Sequence, residues 1–365
     1  MARLRVHLLA MLVAGAFAPA ATAKVLIGVT GPTNGPYAGV GKDVRRAAQH
    51  AAEHINAEGG IGGEPVEIIE RDDNCAAKES EKAARALVAQ GVALVVGHPC
   101  AAAAVAAAKV YAQAGIVFIA PATRNAALTE PRAGPMIFRL DGRDDRQGTE
   151  AGAYIARNFT AEPVAIVHDG SRFAKELAGK ATAALKAAGA SSVLTAAVVG
   201  GQKDYTALIG KLRTAKTQAI YFTGYAIEGG QLLRQMRSAG LDATFLGSDA
   251  LTTDPFAETA RDAAEGAKAL LAHDASDGVA AATLKDKIAA QPVTGGLVSA
   301  YAAIEAWAAA ARQVHSTTGQ AVGEVLAHGS FETALGRVSF DDKGDADLPS
   351  YDVVTWRAGA WRRED

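Results

Sequence analysis

Cys75 and Cys100 are the only cysteines among 365 residues, and they are the first candidates for chemistry. Two readings are open, a disulfide and a pair of buried free thiols. The opening residues bear on the choice. Arg3 and Arg5 precede the apolar run LLAMLVAGAFA, which is too short to span a bilayer comfortably, and Ala21-Thr22-Ala23 has the small-x-small form of a cleavage site before Lys24. This is the pattern of a secretory signal over residues 1–23, so the mature chain is expected in an oxidising compartment. A disulfide there closes a loop of about 25 residues and contributes about 3 kcal/mol in the chain-entropy model. No cysteine stands near the cleavage site to carry a lipid, and no later segment is apolar and uncharged over about 18 residues.

Other chemistries find little support. The eight histidines are scattered, with no H-E-x-x-H and no cysteine–histidine cluster, so no metal is expected. His98 and His168 end strand-like runs, as structural hydrogen-bonding residues or as groups facing a cleft. Asp72-Asp73 and Asp341-Asp342 read as solvated turn charges. The loop GVTGPTNGPYAGVG lacks the spacing of a dinucleotide or phosphate loop, and no G-x-S-x-G occurs. No acid–base pair stands out, no cofactor is implied, and a binding protein is the leading class, with an enzyme the minor one.

The elements that must position these residues alternate. VLIGVT, VEIIERDD, ALVVG and IVFIAP read as strands. Between them, KDVRRAAQHAAEHINAEGG, KESEKAARALVAQG and AAAAVAAAKVYAQAG read as helices. In the first helix Val44, Ala47, Ala48, Ala51 and Ile55 share one face, and Gly91 is a stop for the second. This βα order predicts a parallel sheet covered on both faces, as the nearly continuous apolar character of its strands requires. The pattern restarts at GRDDRQGTEAGAYIARNF and runs through VAIVHD, SVLTAAVV, AIYFTG and ATFLGSD, a second series of similar size. A long alanine-rich helix from Ser299 to about Gln313 and a β-rich tail belong to neither series, so the chain is expected to cross back between two lobes. The fold class is therefore α/β, with two doubly wound parallel-sheet lobes. At 49% hydrophobic residues and a net charge of −2, the chain reads as a soluble globular protein of about two domains, with no nucleic-acid partner. Ligands of such sheets sit at the carboxyl ends of the strands. The loops found there are GPTNGPYAGVG, GHPCAAAA, APATRNAALT, HDGSRFAKE, TGYAIEGG and GSDALTTD.

Those loops, with INAEGGIGG, DDNCAAKESEKAARALVAQGVALVVGHPC, GGQLLRQMRSAGL, DAAEG and FDDKGD, make the chain resemble the periplasmic leucine/isoleucine/valine-binding proteins. These are the substrate-binding subunits of branched-chain amino acid ABC transporters, and the resemblance covers essentially the whole mature chain. It implies a type I periplasmic binding fold with three hinge crossovers. The lobes are expected at residues 24–143 plus 273–348 and 144–272 plus 349–365. It also implies a periplasmic monomer that binds an amino acid and docks on a membrane permease with its ATPase. The same fold also serves ligand-sensing domains.

The resemblance carries over unevenly. Where the family offers the ligand carboxylate a serine hydroxyl and an N–H, this chain has Ala101 after Cys100, leaving main-chain amides and a helix N-terminus. Thr123 keeps a hydroxyl in the next loop. Arg124 is a departure that either contacts the carboxylate or points to solvent. Asp249 matches the acid that holds the ligand ammonium. Tyr225 matches a family tyrosine, and Phe173 falls at an aromatic wall. Two other family aromatics align with Val40, near Tyr37, and with Gly296, which implies a roomier pocket. The ligand is then a branched-chain amino acid, a larger apolar or aromatic one, or another small carboxylate.

Overall fold

The computed structural model describes residues 23–159, 161–190, 193–277, 282, 284 and 293–364. Residues 1–22 of the expected signal lie outside them. Two parallel sheets organise the chain. The first has the order β2-β1-β3-β4-β5, from Val66–Arg71 (β2), Val25–Thr30 (β1), Leu94–Gly97 (β3), Val117–Ala120 (β4) and Ile137–Arg139 (β5). Helices Ala38–Ala57 (α1), Ala77–Ala89 (α2) and Ala101–Ala114 (α3) connect its strands. All the predicted face of α1 is buried, and α2 ends at Gly91 with a left-handed φ of 71°. β5, with three residues, was not among the predicted strands.

The second sheet has the order β14-β13-β10-β9-β8-β6-β7. Its parallel part comprises Val164–His168 (β6), Val193–Ala197 (β7), Ala219–Phe222 (β8), Thr244–Gly247 (β9) and Lys268–Ala272 (β10). Gln147–Asn158 (α4), Arg172–Ala187 (α5), Thr206–Thr214 (α6), Ala226–Ser238 (α7) and Asp254–Ala260 (α8) accompany it. The alanine-rich helix, Gly295–Val314 (α9), is buried over most of its circumference and packs with α1 in the core of the first sheet. That is why its sequence shows no polar stripe. After Gly319–His328 (α10), Ser330–Thr333 (β11) and Gly336–Ser339 (β12) pair as a hairpin. The tail, Tyr351–Arg357 (β13) and Ala360–Arg363 (β14), then adds two antiparallel strands to the second sheet.

Among the described residues the chain thus passes between the sheets three times: after β5, after β10 and before β13. The passages are bonded side by side. The Arg139 N–H donates to Gly344 O at 2.8 Å, Ala346 N–H to Arg139 O at 2.9 Å and His273 N–H to Ser350 O at 3.0 Å. A buried charge cluster ties the first of them to the third. Arg139, fully buried, donates from Nε to Asp345 Oδ1 at 2.8 Å, and Arg143 Nη1 reaches Asp345 Oδ2 at 3.1 Å. Burial opposes ionisation of Asp345, but Arg139, Thr129 and Arg143 outweigh it and hold its pKa below the ordinary value.

Candidate ligand-binding cleft

A cavity of about 860 Å³ opens where the carboxyl ends of the first sheet meet the three passages. One wall is the turn from β3 into α3. Gly97 there has φ of 145°, and a Cβ would sit 2.2 Å from Thr30 O, so only glycine fits. Cys100 is the N-cap of α3 and is bonded to Cys75, with Cα atoms 5.3 Å apart. Its side chain makes no capping hydrogen bond, and the first intrahelical bond of α3 is Ala104 N–H to Cys100 O. The amides at the start of the helix therefore have no acceptor within it. Cys100 and Ala101 line the cavity, with Tyr37, Val40 and Gly296 around it.

The other expected residues fall elsewhere. Thr123 is buried and donates its hydroxyl to His98 O at 2.9 Å, bracing the turn from behind. Arg124 is half-buried and engaged, rather than pointing to solvent. It donates to Asp141 Oδ1 and to Ser350 O, each at 2.8 Å, and lies 5.1 Å over the Tyr351 ring. Phe173, Tyr225 and Asp249 follow β6, β8 and β9 and are not among the cavity's lining residues. Phe173 and Tyr225 are 52% and 62% exposed, and Tyr37 is 57% exposed. Asp249 begins a short 3-10 turn just after β9, which runs parallel to β10, so it lies at the end of the second sheet from which the passage after β10 leaves.

Asp73 corrects an expectation. Its carboxylate is fully buried against His98, whereas the sequence suggested a solvated turn charge. Sequence reasoning also missed Asp43, Asp141, His273 and Ser299, all of which line the cavity. His273 bonds Asp352 through Nδ1 at 2.9 Å; that bond outweighs burial and raises its pKa. Asp141 and His273 lie in the passages, and no local pattern marks them. Among the described residues, no cluster of three His, Cys, Asp or Glu could hold a metal ion.

Two sheets, three passages and a cavity at the strand ends invite comparison with known binding proteins. The family model described as "Periplasmic binding protein" matches residues 24–360. The chain belongs to this family. An "Amino acid binding protein" of Pseudomonas aeruginosa is 36% identical over 342 residues, covering 92% of this chain and 91% of the relative. The "Leu/Ile/Val-binding protein homolog 1" of Brucella abortus is 36% identical over 350 residues, 94% of each chain. Among solved structures, a substrate-binding protein of Desulfitobacterium hafniense in complex with Leu has a TM-score of 0.65 at 21% identity, covering 94% of this chain and 100% of that one. A solute-binding protein of R. palustris in complex with benzoate has a TM-score of 0.57 at 17% identity, covering 93% and 95%. Periplasmic binding proteins of this family are solute receptors of ABC transporters, and the fold is their type I architecture.

Proposed function

We propose that this chain is the solute-binding subunit of an ABC importer, exported by a cleavable signal at residues 1–23. It captures an amino acid, branched-chain or larger and apolar, and presents it to a membrane permease and its ATPase without performing chemistry. One observation carries the reading: the open N-terminus of α3, at Cys100–Ala101, faces a cavity lying against the passages between two sheets. Main-chain amides and a helix N-terminus suit a carboxylate. Asp249 supplies the matching charge for an ammonium from the second sheet. The lobes, 24–143 plus 273–348 and 144–272 plus 349–365, then close on the ligand and cover Tyr37, Phe173 and Tyr225, whose exposed rings supply apolar area for closure.

Titration calorimetry with leucine and phenylalanine tests this. Asp249→Ala is expected to abolish binding of both. Unchanged affinity removes the ammonium role, and no binding by the unaltered protein removes the amino acid reading.

A second reading, a small aromatic carboxylate as ligand, is favoured by the bare wall at Gly296, where an added Cβ meets nothing within 4 Å. It predicts benzoate binding that survives Asp249→Ala, since benzoate has no ammonium. A thermal-shift screen separates the two, because ligand at about 100 times Kd adds about 2.7 kcal/mol.

A further inference from the structure

The turn that faces the cavity is held by a buried network that the binding function leaves unused. His98 lies two residues before Cys100 and is fully buried, as are Asp73 and Tyr111. Its Nδ1 is 2.8 Å from Asp73 Oδ2, and its Nε2 is 2.9 Å from Tyr111 Oη. Its main-chain N–H donates to Thr30 Oγ1 at 3.0 Å and to Thr30 O at 3.2 Å. Its carbonyl accepts the Thr123 hydroxyl at 2.9 Å. The ring also stands edge-on to Phe118, with centroids 5.6 Å apart. One residue thus gathers the ends of β1 and β3, the segment after β2, the body of α3 and the loop after β4.

The backbone explains why so many partners are needed. His98 has φ of 49°, in the left-handed region that residues with a Cβ avoid, and it follows Gly97, whose φ is also positive. Such a conformation persists when its surroundings over-determine it, and it is found where a backbone must aim at something. Here it turns the chain so that Cys100 caps α3 toward the cavity. Asp73 serves both ends of the disulfide. Its Oδ1 accepts the Cys75 N–H at 3.0 Å, and Cys75 too has a positive φ, of 54°.

The protons follow one order. Burial and the Asp73 charge raise the Tyr111 pKa well above its usual value, so the phenol keeps its single proton. With the Tyr111 O–H donating a hydrogen bond to His98 Nε2 and His98 Nδ1–H donating to Asp73, every polar atom of the three side chains has a partner.

We propose that His98 is a positioning residue for ligand capture: buried between Asp73 and Tyr111, it sets the direction in which the Cys100 and Ala101 amides meet the ligand carboxylate. The inference rests on the carboxylate role given to that turn above. It predicts that His98 governs discrimination between a carboxylate and its amide, because a carboxylate only accepts hydrogen bonds and a primary amide also brings two donors.

The test is calorimetric titration of the full chain with three matched pairs: leucine and leucinamide, phenylalanine and phenylalaninamide, benzoate and benzamide. The unaltered protein is expected to prefer the carboxylate of at least one pair. His98→Leu, which cannot reach Asp73 or Tyr111 with a polar atom, is expected to reduce that preference at least tenfold. His98→Asn can still bond Asp73 and tolerates a left-handed φ, and it is expected to restore most of the preference. Tyr111→Phe removes only the Nε2 partner and should reduce it about threefold. A residue that merely supports the fold lowers the melting temperature and weakens both members of a pair alike. Preference ratios unmoved in His98→Leu and Tyr111→Phe therefore overturn the positioning role while leaving the binding function standing. Should His98→Leu fail to melt cooperatively, the Tyr111→Phe ratio decides alone. If the unaltered protein binds none of the six compounds, the proposed function fails and this inference falls with it.

Discussion

Arg124 and Ser350 stand 226 positions apart in the sequence, yet Arg124 Nη2 donates to the Ser350 carbonyl at 2.8 Å. The same carbonyl accepts the His273 N–H, so the loop after β4, the passage leaving β10 and the passage entering β13 meet at one oxygen. Asp141 on the other Nη and the Tyr351 ring beneath complete the hold on the guanidinium.

Replacing Arg124 is therefore expected to loosen the passages rather than remove a ligand contact. Arg124→Ala leaves Asp141 without its cation, and hydrogen bonds to charged groups are worth about 1.5–3 kcal/mol. Scanning calorimetry should record a lower melting temperature, while leucine affinity changes less than tenfold. Loss of binding at an unchanged melting temperature would instead give the guanidinium to the ligand.

Asp345→Asn addresses the buried cluster. Arg139 is fully enclosed and loses its counter-charge in this variant, and breaking a buried pair costs about 3–5 kcal/mol. Denaturant titration should show the loss at neutral pH. A cost under about 1 kcal/mol would mean that Thr129 and the surrounding carbonyls suffice for Arg139.

Acid should act through the same region. Hydrogen bonds from Arg143, against the effect of burial, hold the Asp145 pKa at about 2, and Asp345 is also lowered. A depressed carboxylate pKa stabilises the fold above its unfolded value, near 4, and that contribution disappears as pH falls toward 2. Melting temperatures should drop across this window, and Asp145→Asn should flatten the drop. An equal slope in the variant would assign the acid limb to other carboxylates.

The disulfide has a stability cost and a site cost. Reduction, or Cys75→Ser with Cys100→Ser, frees a loop of about 25 residues and is expected to cost about 3 kcal/mol. Because Cys100 caps α3, affinity for the carboxylate ligand should fall as well. A reduced protein that binds equally well would show that the turn holds its shape without the bond.

Gly296 is one of the residues that line the cavity. Gly296→Phe introduces a ring into the open space at the start of α9, where an added Cβ meets nothing within 4 Å. The expected outcome is weaker binding of phenylalanine with leucine retained. Equal losses for both would point to a disturbed helix start rather than a smaller pocket.

Much of the fold was legible because it is written locally. β1, β3 and β4 are apolar runs bounded by glycine or proline, and the buried face of α1 repeats at helical spacing. The loops after the strand ends could be named because such sheets bind ligands there, and within those loops the resemblance to the binding-protein family picked out Cys100, Ala101 and Tyr37. β5 escaped because three residues leave too little pattern, and α9 hid its contacts because burial on most sides removes the polar stripe.

What the sequence by itself determined is this local order: two βα series, a tail that crosses back, a cysteine pair and a bare helix start offering only main-chain amides. The tertiary structure alone decided which distant groups share a wall. Asp141 and His273 reach the cavity, Arg124 turns to Ser350, and Asp73 disappears beneath His98. The reason is physical. Propensity and periodicity act over a few neighbouring residues, whereas these pairings are set when passages far apart in the chain are packed side by side and each buried charge must find a partner.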